Sequence, residues 1–216
     1  MTRSPSTAPL IREDTVTTAV IGTGFIGGTL GRAFARAGHP TVFGSRTPET
    51  DTAARDSGAT TATVAEAIAQ ADTVVLAIPA TAVEELLATY GDALAGKLVI
   101  DAANNVGGPV AHHAELVARY APKARYARAF NTLGGENLAD PDFDGTAADL
   151  FYSAPRSDRP TIEALIGALG LRPMYVGENQ QDTVDGVLRL WFALAITQGH
   201  GRHLAFRTLT RSAESS

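Results

Sequence analysis

Three glycines near the start of the chain have the spacing of a phosphate-binding loop. The run Gly-Thr-Gly-Phe-Ile-Gly follows a short β-rich segment and precedes an amphipathic helical pattern. In such a unit the first glycine allows a tight turn, the second lets the backbone approach a pyrophosphate, and the third lets the helix pack on a strand. The helix N-terminus offers free N–H groups to the phosphates. A plain strand-to-helix turn is the weaker alternative, and the predicted dinucleotide-binding residues are Gly22, Thr23, Gly24, Phe25, Ile26 and Gly27.

A second set of residues indicates which dinucleotide is bound. About 20 residues after the loop, NAD-binding folds place an acidic residue that accepts hydrogen bonds from the ribose. This chain instead has Gly-Ser-Arg-Thr-Pro at 44–48, with no carboxylate expected close by. Ser45 and Arg46 can donate to a 2′-phosphate, so the pattern favours NADP(H). The alternative is that Ser45 and Thr47 only cap a following helix, although capping by Thr47 is compatible with phosphate binding.

Two further loops lie where predicted strands end, and ligands of an open α/β sheet bind at that edge. Ile78 and Pro79 would flank the nucleotide, and Asn104 and Asn105 could hydrogen-bond its ribose or carboxamide. Asn pairs are equally common in simple turns. The additional predicted cofactor-binding residues are Ala77, Ile78, Pro79, Ala103, Asn104 and Asn105.

The elements that would position these loops alternate between short β-rich runs and Ala-rich helical segments, which is typical of a parallel sheet with crossover helices. We predict an α/β, Rossmann-like, doubly wound and mostly parallel sheet. Strands are expected at 17–21, 41–43, 73–77, 98–101, 124–129, 149–153 and 173–176. Helices are expected at 26–37, 48–57, 64–69, 83–90, 109–120 and 159–169, followed by a largely helical tail over 182–209 that Gly199 and Gly201 divide.

The predicted domain organisation has three parts. Residues 1–15 are a flexible leader, 16–155 the NADP-binding domain, and 156–216 a small C-terminal portion of helix, strand and helices. An apolar stripe in the tail includes Trp191, for which core packing is favoured over a cofactor contact.

Composition narrows the function classes. A net charge of −5 argues against sequence-independent binding to nucleic acid. The absence of cysteine excludes disulfides and Cys-ligated metals. Without a secretory signal or a membrane-spanning run, a soluble, cytoplasmic protein is expected.

No metal site and no catalytic residue are predicted. His112 and His113 are expected on the 109–120 helix, and His200 and His203 in a Gly-rich break of the tail. Ordinary surface histidines are favoured for all four. His200 and His203 also lack a carboxylate close by in sequence that could complete a metal site.

Taken together, the motifs resemble those of the NADPH-dependent deazaflavin (coenzyme F420) reductase family over nearly the whole chain. The motifs are Gly22–Gly27, 44–46, 77–79, 129–134 and 170–173. Residues 101–106 and 130–131 are more similar to the reductase domain of the STEAP metalloreductases, although their transmembrane segment is missing from this sequence.

The resemblance implies a homodimer in which NADPH faces coenzyme F420 or another flavin as co-substrate. It also implies a substrate-binding wall of Asn131, Thr132, Leu133 and Gly134, where the family typically has a His-Thr-Ile-Pro-like stretch. A flavin, a quinone or a small unsaturated metabolite could occupy the same space.

The predicted function is hydride transfer between NADPH and a deazaflavin or flavin-like acceptor, which requires placement of two cofactors rather than a catalytic side chain. One alternative is reduction of a C=C, C=N or C=O bond in a small organic metabolite. Another is a non-catalytic NADPH sensor, but the small residues at 131–135 favour an enzyme.

Overall fold

A computed structural model describes residues 16–211. The predicted leader and the last five residues of the predicted C-terminal portion lie outside this range. Eight strands form one sheet in the order β10-β9-β6-β5-β4-β1-β2-β3. The strands are β1 (Thr18–Ile21), β2 (Thr41–Ser45), β3 (Thr60–Thr63), β4 (Thr73–Leu76), β5 (Leu98–Asp101), β6 (Arg125–Arg128), β9 (Asp149–Ser153) and β10 (Arg172–Gly177), with a separate hairpin of β7 (Asp142–Phe143) and β8 (Thr146–Ala147).

The first six strands run parallel, and β9 and β10 run in the opposite direction. The central strands β1, β4 and β5 are buried along their whole length, as expected for strands covered on both faces. Alternate residues of these strands enter two separate core clusters, one on each face. The predicted doubly wound, mostly parallel α/β fold is therefore confirmed.

The helices cover both faces of this sheet. They are α1 (Phe25–Arg36), α2 (Val64–Gln70), α3 (Ala80–Tyr90), α4 (Ala114–Tyr120), α5 (Gly135–Ala139), α6 (Arg159–Ala168) and α7 (Gln181–Phe192). Leu30 and Phe34 of α1 pack in one cluster together with Ile162 of α6. Val83 and Val117, from α3 and α4, pack in the other.

The helix predicted at 48–57 is wrong. This segment forms turns and leads into the unpredicted strand β3. The Asp51 carboxylate accepts hydrogen bonds from the Ala53 N–H and the Ser45 hydroxyl, and Asp56 has a left-handed backbone with φ of 59°. Such side-chain to backbone bonds compete with helix formation.

The helix predicted at 109–120 begins later, at Ala114. The backbone N–H of His113 donates to Asp101 Oδ2 at 2.8 Å. His112 and His113 therefore precede α4 instead of lying within it. A carboxylate in a neighbouring strand determines where this helix starts, which local periodicity does not reveal.

The tail is helical only in its first part, so the prediction of helix through 209 is wrong. A π-helical turn, Ala193–Thr197, follows α7, and Gly199 and Gly201 then adopt left-handed backbone angles. Beyond them the chain has no regular secondary structure as far as residue 211. The carbonyls of Phe206 and Thr208 accept hydrogen bonds from the Asp149 N–H and the Arg172 guanidinium, so tertiary contacts replace helical ones.

The sheet continues beyond residue 155, because β10 pairs with β9 from Arg172 to Gly177. Strand β10, from the predicted C-terminal portion, is thus part of the same sheet as the predicted NADP-binding domain. Within residues 16–211, no helix combines the length and hydropathy needed to cross a membrane.

Candidate functional site

The predicted site residues lie at the carboxyl ends of the parallel strands. Strand β1 pairs with β2 on one side and β4 on the other, so the direction of the connections reverses there. A crevice forms at such a switch point, and nucleotides bind in it. The Gly-rich loop extends from the end of β1 into the first turn of α1.

Two glycines of this loop are required by packing. Gly22 has φ of 106°, and a Cβ atom there would collide with the carbonyl of Ala77. A Cβ on Gly27 would collide with the carbonyl of Gly22. The Ala77 N–H donates to the Ile21 carbonyl at 2.9 Å, which fixes the turn after β4 against this loop. Ile78 lies half-buried and Pro79 exposed in the same turn.

Gly24 is different because packing does not require it. It is exposed, has φ of −69° and would have no heavy atom within 4 Å of an added Cβ. It is also the N-cap of α1, whose first turn has no side-chain cap. Exposed Phe25 and half-buried Ile26 begin that helix. Open space beside free helix N–H groups fits a pyrophosphate group.

The residues after β2 differ in accessibility. Ser45 is 6% exposed, whereas Arg46 and Thr47 are exposed. Ser45 Oγ donates to Asp51 Oδ2 at 2.7 Å and accepts from the Thr47 N–H at 3.2 Å. The expectation that no carboxylate lies close to these donors is therefore wrong, because the turns at 47–53 return Asp51 to the end of β2.

A cavity of about 170 Å³ adjoins the Gly-rich loop. Ile26 contributes to its wall, so the loop and the cavity, together called the cleft, share this residue. Trp191 is 2% exposed and donates from Nε1 to the Leu204 carbonyl at 2.7 Å, so it both packs in the core and lines the cavity. The lining residues are Ile26, Ala102, Asn104, Phe130, Leu133, Gly134, Gly135, Leu188, Trp191, Phe192 and Arg202.

At one wall of the cavity, Arg202 pairs with Glu136. Arg202 Nε lies 2.6 Å from Glu136 Oε1, and its guanidinium carbon is 5.5 Å from the Trp191 ring centroid. The hydrogen bond from Arg202 lowers the pKa of the Glu136 carboxyl. Sequence reasoning missed Arg202, since nothing in the 198–204 sequence indicates that this segment returns to α5.

Only two of the four residues predicted to form the substrate-binding wall line the cavity. Leu133 and Gly134 line the cavity, whereas Asn131 and Thr132 are buried behind it. Thr132 Oγ1 accepts a hydrogen bond from the Phe151 N–H at 3.4 Å. Phe130 is buried with φ of 68°, an uncommon and strained angle for an aromatic residue. This bend directs Phe130 to the cavity and Asn131 away from it.

Behind the cavity lies a fully buried arginine, Arg128 at the end of β6. Its guanidinium is 2.8 Å from Asp185 Oδ1 on α7 and donates to Asn104 Oδ1 at 2.7 Å and to the Ala103 carbonyl. With its amide oxygen turned toward this group, Asn131 accepts from Arg128 Nε at 2.7 Å. Arg128 thus holds the loop after β5, the loop after β6, and α7 in one arrangement. Asn105, by contrast, is exposed.

The carboxylate of Asp101 completes this network. Asp101 is fully buried, accepts from the His113 N–H and from the Tyr126 hydroxyl at 3.0 Å, and lies 3.4 Å from Arg128 Nη1. Burial alone would raise the pKa of Asp101, but the His113 hydrogen bonds and the Arg128 charge lower it. Burial and the Asp101 charge raise the pKa of Tyr126 well above its ordinary value. His113 is itself 6% exposed, so its prediction as a surface histidine is wrong.

The sequence contains one signal for this network. Arg128 and Asp101 end adjacent parallel strands that are otherwise mostly apolar, and they are register partners. Asp185, on a helix 57 residues away, has no such signal. Among residues 16–211, no group of three His, Cys, Asp or Glu side chains has the geometry to hold a metal ion.

Comparisons with known proteins agree with this geometry. Residues 17–105 match the model of the family described as NADP oxidoreductase, coenzyme F420-dependent. A structure of a proposed F420-dependent NADP-reductase from Arthrobacter sp. FB24 has a TM-score of 0.75 and 25% identity, covering 90% of this chain and 100% of that one. A hypothetical protein from Sinorhizobium meliloti has a TM-score of 0.67 and 28% identity, covering 93% and 98% of the two chains.

More distant structures share the fold. A reductive aminase from Aspergillus terreus, solved with NADPH4, cyclohexanone and allyl amine, has a TM-score of 0.65 and 21% identity, covering 86% of this chain and 63% of that one. The likeness to the STEAP reductase domain stays a prediction. The residues that match the family model, 17–105, contain the Gly-rich loop, Ser45 and the turn after β4.

Proposed function

We propose that this chain is an NADP(H)-dependent oxidoreductase that transfers hydride between NADPH and a deazaflavin, such as coenzyme F420, or a flavin-like acceptor. One observation carries the proposal: Ile26 belongs both to the Gly-rich loop and to the wall of the cavity. A dinucleotide held at the loop can therefore extend into that cavity. A homodimer and a cytoplasmic location stay predictions.

The proposed binding roles follow the cleft from one end to the other. Exposed Gly24 and the first turn of α1 would hold the pyrophosphate through backbone N–H groups. Ser45 and Arg46 would bind the 2′-phosphate, while Thr23, Phe25, Thr47 and the turn 77–79 would border the ribose and phosphates. When bound, reduced NADP supplies a hydride to the acceptor.

Near the nicotinamide, the proposed role of the protein is placement. Asn104 would contact the nicotinamide or its ribose, with Ala103 and Asn105 in the same loop. Arg128 would act as a positioning residue, because it fixes Asn104 directly and holds Asn131 behind the wall formed by Leu133 and Gly134. Thr132 would support that wall through Phe151.

The chemistry of the cavity lining favours a cofactor-like acceptor. Within the part of the chain that the structure describes, the lining contains no carboxylic acid, histidine, lysine or tyrosine. Arg202 is charged but does not release its proton at ordinary pH. An acceptor that obtains its proton from water suits such a lining better than a carbonyl that needs a positioned acid.

The cavity volume favours a second candidate, a small organic metabolite with a C=C or C=N bond. About 170 Å³ is less than the roughly 300–1,000 Å³ typical of ligand pockets. A tricyclic deazaflavin would require the exposed Arg202–Glu136 pair to open. A small imine or alkene would not.

The test is NADPH consumption by the purified full chain, with coenzyme F420, FMN, FAD, a cyclic imine, an enone or no acceptor. The proposal predicts the fastest turnover with F420 or a flavin. Turnover confined to the imine or enone would contradict it and support the second candidate. Tight NADPH binding without turnover would instead support a sensor.

A variant of the cavity wall separates the role of the cavity in turnover from nucleotide binding at the Gly-rich loop. An added Cβ on Gly134 would lie 2.8 Å from Trp191 Cζ2, so Gly134→Ala narrows the cavity without touching the Gly-rich loop. We expect turnover to fall about tenfold or more, while affinity for the fragment 2′,5′-ADP is unchanged. Loss of affinity for the fragment would indicate a general folding defect.

A further inference from the structure

The carboxylate of Asp51 lies between two parts of the proposed NADP site. Its Oδ2 atom is 2.7 Å from Ser45 Oγ at the end of β2, and its Oδ1 atom accepts from the Ala53 N–H at 2.8 Å. The Thr23 side chain, in the Gly-rich loop, lies close enough to this carboxylate to lower its pKa. Hydrogen bonds from Ser45 and Ala53 therefore hold a carboxylate, near Thr23, at the end of the cleft where the adenosine ribose would bind.

The Ser45 hydroxyl cannot serve two acceptors at once. A serine hydroxyl has a single proton to donate, and in this structure Asp51 accepts it. The oxygen of Ser45 meanwhile accepts from the Thr47 N–H at 3.2 Å. A 2′-phosphate that binds Ser45 must displace Asp51 or do without this hydrogen bond.

Charge adds to this competition. Partial burial opposes ionisation, but the nearby Thr23 side chain and the hydrogen bonds from Ala53 and Ser45 lower the pKa of Asp51. Asp51 is therefore negative at neutral pH. A phosphate within hydrogen-bond distance of Ser45 would lie close to this carboxylate, which already bonds to the same hydroxyl, and like charges at such a separation repel each other. Exposed Arg46 offers a compensating positive charge.

The same carboxylate suits a ribose without a 2′-phosphate. NAD-binding folds place an acidic side chain at the end of the second strand, where it accepts hydrogen bonds from ribose hydroxyls. Here that strand ends with Ser45, and Asp51 returns to it from six residues further along the chain. The turn Thr47–Thr50, closed by a backbone hydrogen bond of 3.2 Å, makes this return possible.

We propose that Asp51 is a specificity-determining residue that narrows the preference of this site for NADP(H) over NAD(H), so that the protein binds both dinucleotides. This inference rests on the proposed function, because it requires a dinucleotide at the Gly-rich loop. If Asp51 only stabilised the loop, its substitution would change the affinities for both dinucleotides by the same factor.

The experiment is calorimetric titration of the full chain with NADP⁺, NAD⁺, 2′,5′-ADP and 5′-AMP, which requires no turnover. The variant Asp51→Asn removes the charge and keeps an amide oxygen that can accept from Ala53. The matched control Asp56→Asn removes an exposed carboxylate from the same loop, at a left-handed position that asparagine tolerates.

We expect Asp51→Asn to raise the ratio of NADP⁺ to NAD⁺ affinity by about tenfold, with the same change between 2′,5′-ADP and 5′-AMP. Asp56→Asn should leave the ratio within about twofold of wild type, because exposed charges are screened. An unchanged ratio in Asp51→Asn, or an equal shift in Asp56→Asn, would overturn the inference. Failure of the wild-type chain to bind any of the four would overturn the proposed function itself.

Discussion

The two ends of the proposed cleft hold their charged groups in opposite ways. At the adenosine end, Arg46 is exposed and Asp51 is half-buried in a surface loop. At the nicotinamide end, Arg128 and Asp101 are 0% exposed and Asp185 only 2%. An exposed charged group can give up its contacts with water or with another side chain and bind a phosphate with little loss of stability. A buried ion, in contrast, is stable only when its charged and hydrogen-bonding partners are present.

This difference indicates a division of roles. The adenosine end can change its hydrogen bonds when a nucleotide arrives, so its affinity and specificity depend on single side chains. At the proposed nicotinamide end, the hydrogen bonds of Arg128 and Asp101 are in place beforehand, and the proposed hydride transfer requires such fixed geometry. The predicted effects of substitution therefore differ in kind, with stability changing at one end and affinity at the other.

The largest effect is expected for Arg128→Met, which removes the buried cation, leaves Asp185 without its partner and leaves Asp101 with only its hydrogen bonds to His113, Tyr126 and Ala103. Breaking a buried pair from one side lowers the free energy of unfolding by about 3–5 kcal/mol. Chemical denaturation measures this loss. The control Arg119→Met breaks an exposed pair of 4.0 Å with Glu84 and should lower it by less than about 1 kcal/mol. Equal losses would contradict the contrast between the two ends.

Acid stability should depend on Asp101. Its folded-state pKa is below the ordinary value of 3.8, so the ionised carboxylate contributes stability that is fully present above that value. This contribution is lost as the pH falls through the folded-state pKa. Below about pH 4, Asp101→Asn should therefore reduce the slope of unfolding free energy against pH, by up to about 1.4 kcal/mol per pH unit.

Denaturant titrations between pH 5 and pH 2.5 (roughly the range in which carboxylates titrate) measure this slope. Asp92→Asn, a substitution of an exposed carboxylate, is the control and should leave most of the slope intact. An identical slope in wild type and Asp101→Asn would show that the buried network does not depend on this charge.

A smaller effect, mainly on affinity, is expected for Gly24→Ala at the other end. An added Cβ meets no protein atom within 4 Å, so the loss in folding free energy should be that of poorer helix capping by alanine, about 1 kcal/mol or less. If the pyrophosphate approaches this backbone, the Kd for NADPH should rise about tenfold. Gly167→Ala, an exposed position in α6 with equally open space, is the control for titration. Unchanged NADPH affinity in Gly24→Ala would contradict the proposed loop role.

The same contrast explains what could be predicted from the sequence. The Gly-rich loop and the strands up to β6, apart from β3, follow from local patterns, because glycine spacing and apolar runs are encoded in neighbouring residues. Strands Leu98–Asp101 and Asp149–Ser153 have the predicted bounds. The fold could therefore be predicted from periodicity and composition.

What could not be predicted depends on contacts between distant segments. Asp51 bonds to Ser45 instead of entering a helix, and Asp101 takes the His113 N–H and delays the start of α4. The tail leaves its helix to hydrogen-bond with Asp149 and Arg172. In each case a hydrogen bond to a group elsewhere in the chain outweighs local helix propensity.

A dinucleotide bound at the Gly-rich loop should reach the cavity beside Trp191, and the fluorescence of this tryptophan can detect it there. Trp191 is the only tryptophan in the sequence and lines that cavity. The measurement is its fluorescence during titration with NADP⁺ and with 2′,5′-ADP, which lacks nicotinamide. We predict that NADP⁺ quenches the emission by contact, whereas 2′,5′-ADP binds without quenching. Binding of NADP⁺ that leaves the Trp191 emission unchanged would contradict the claim.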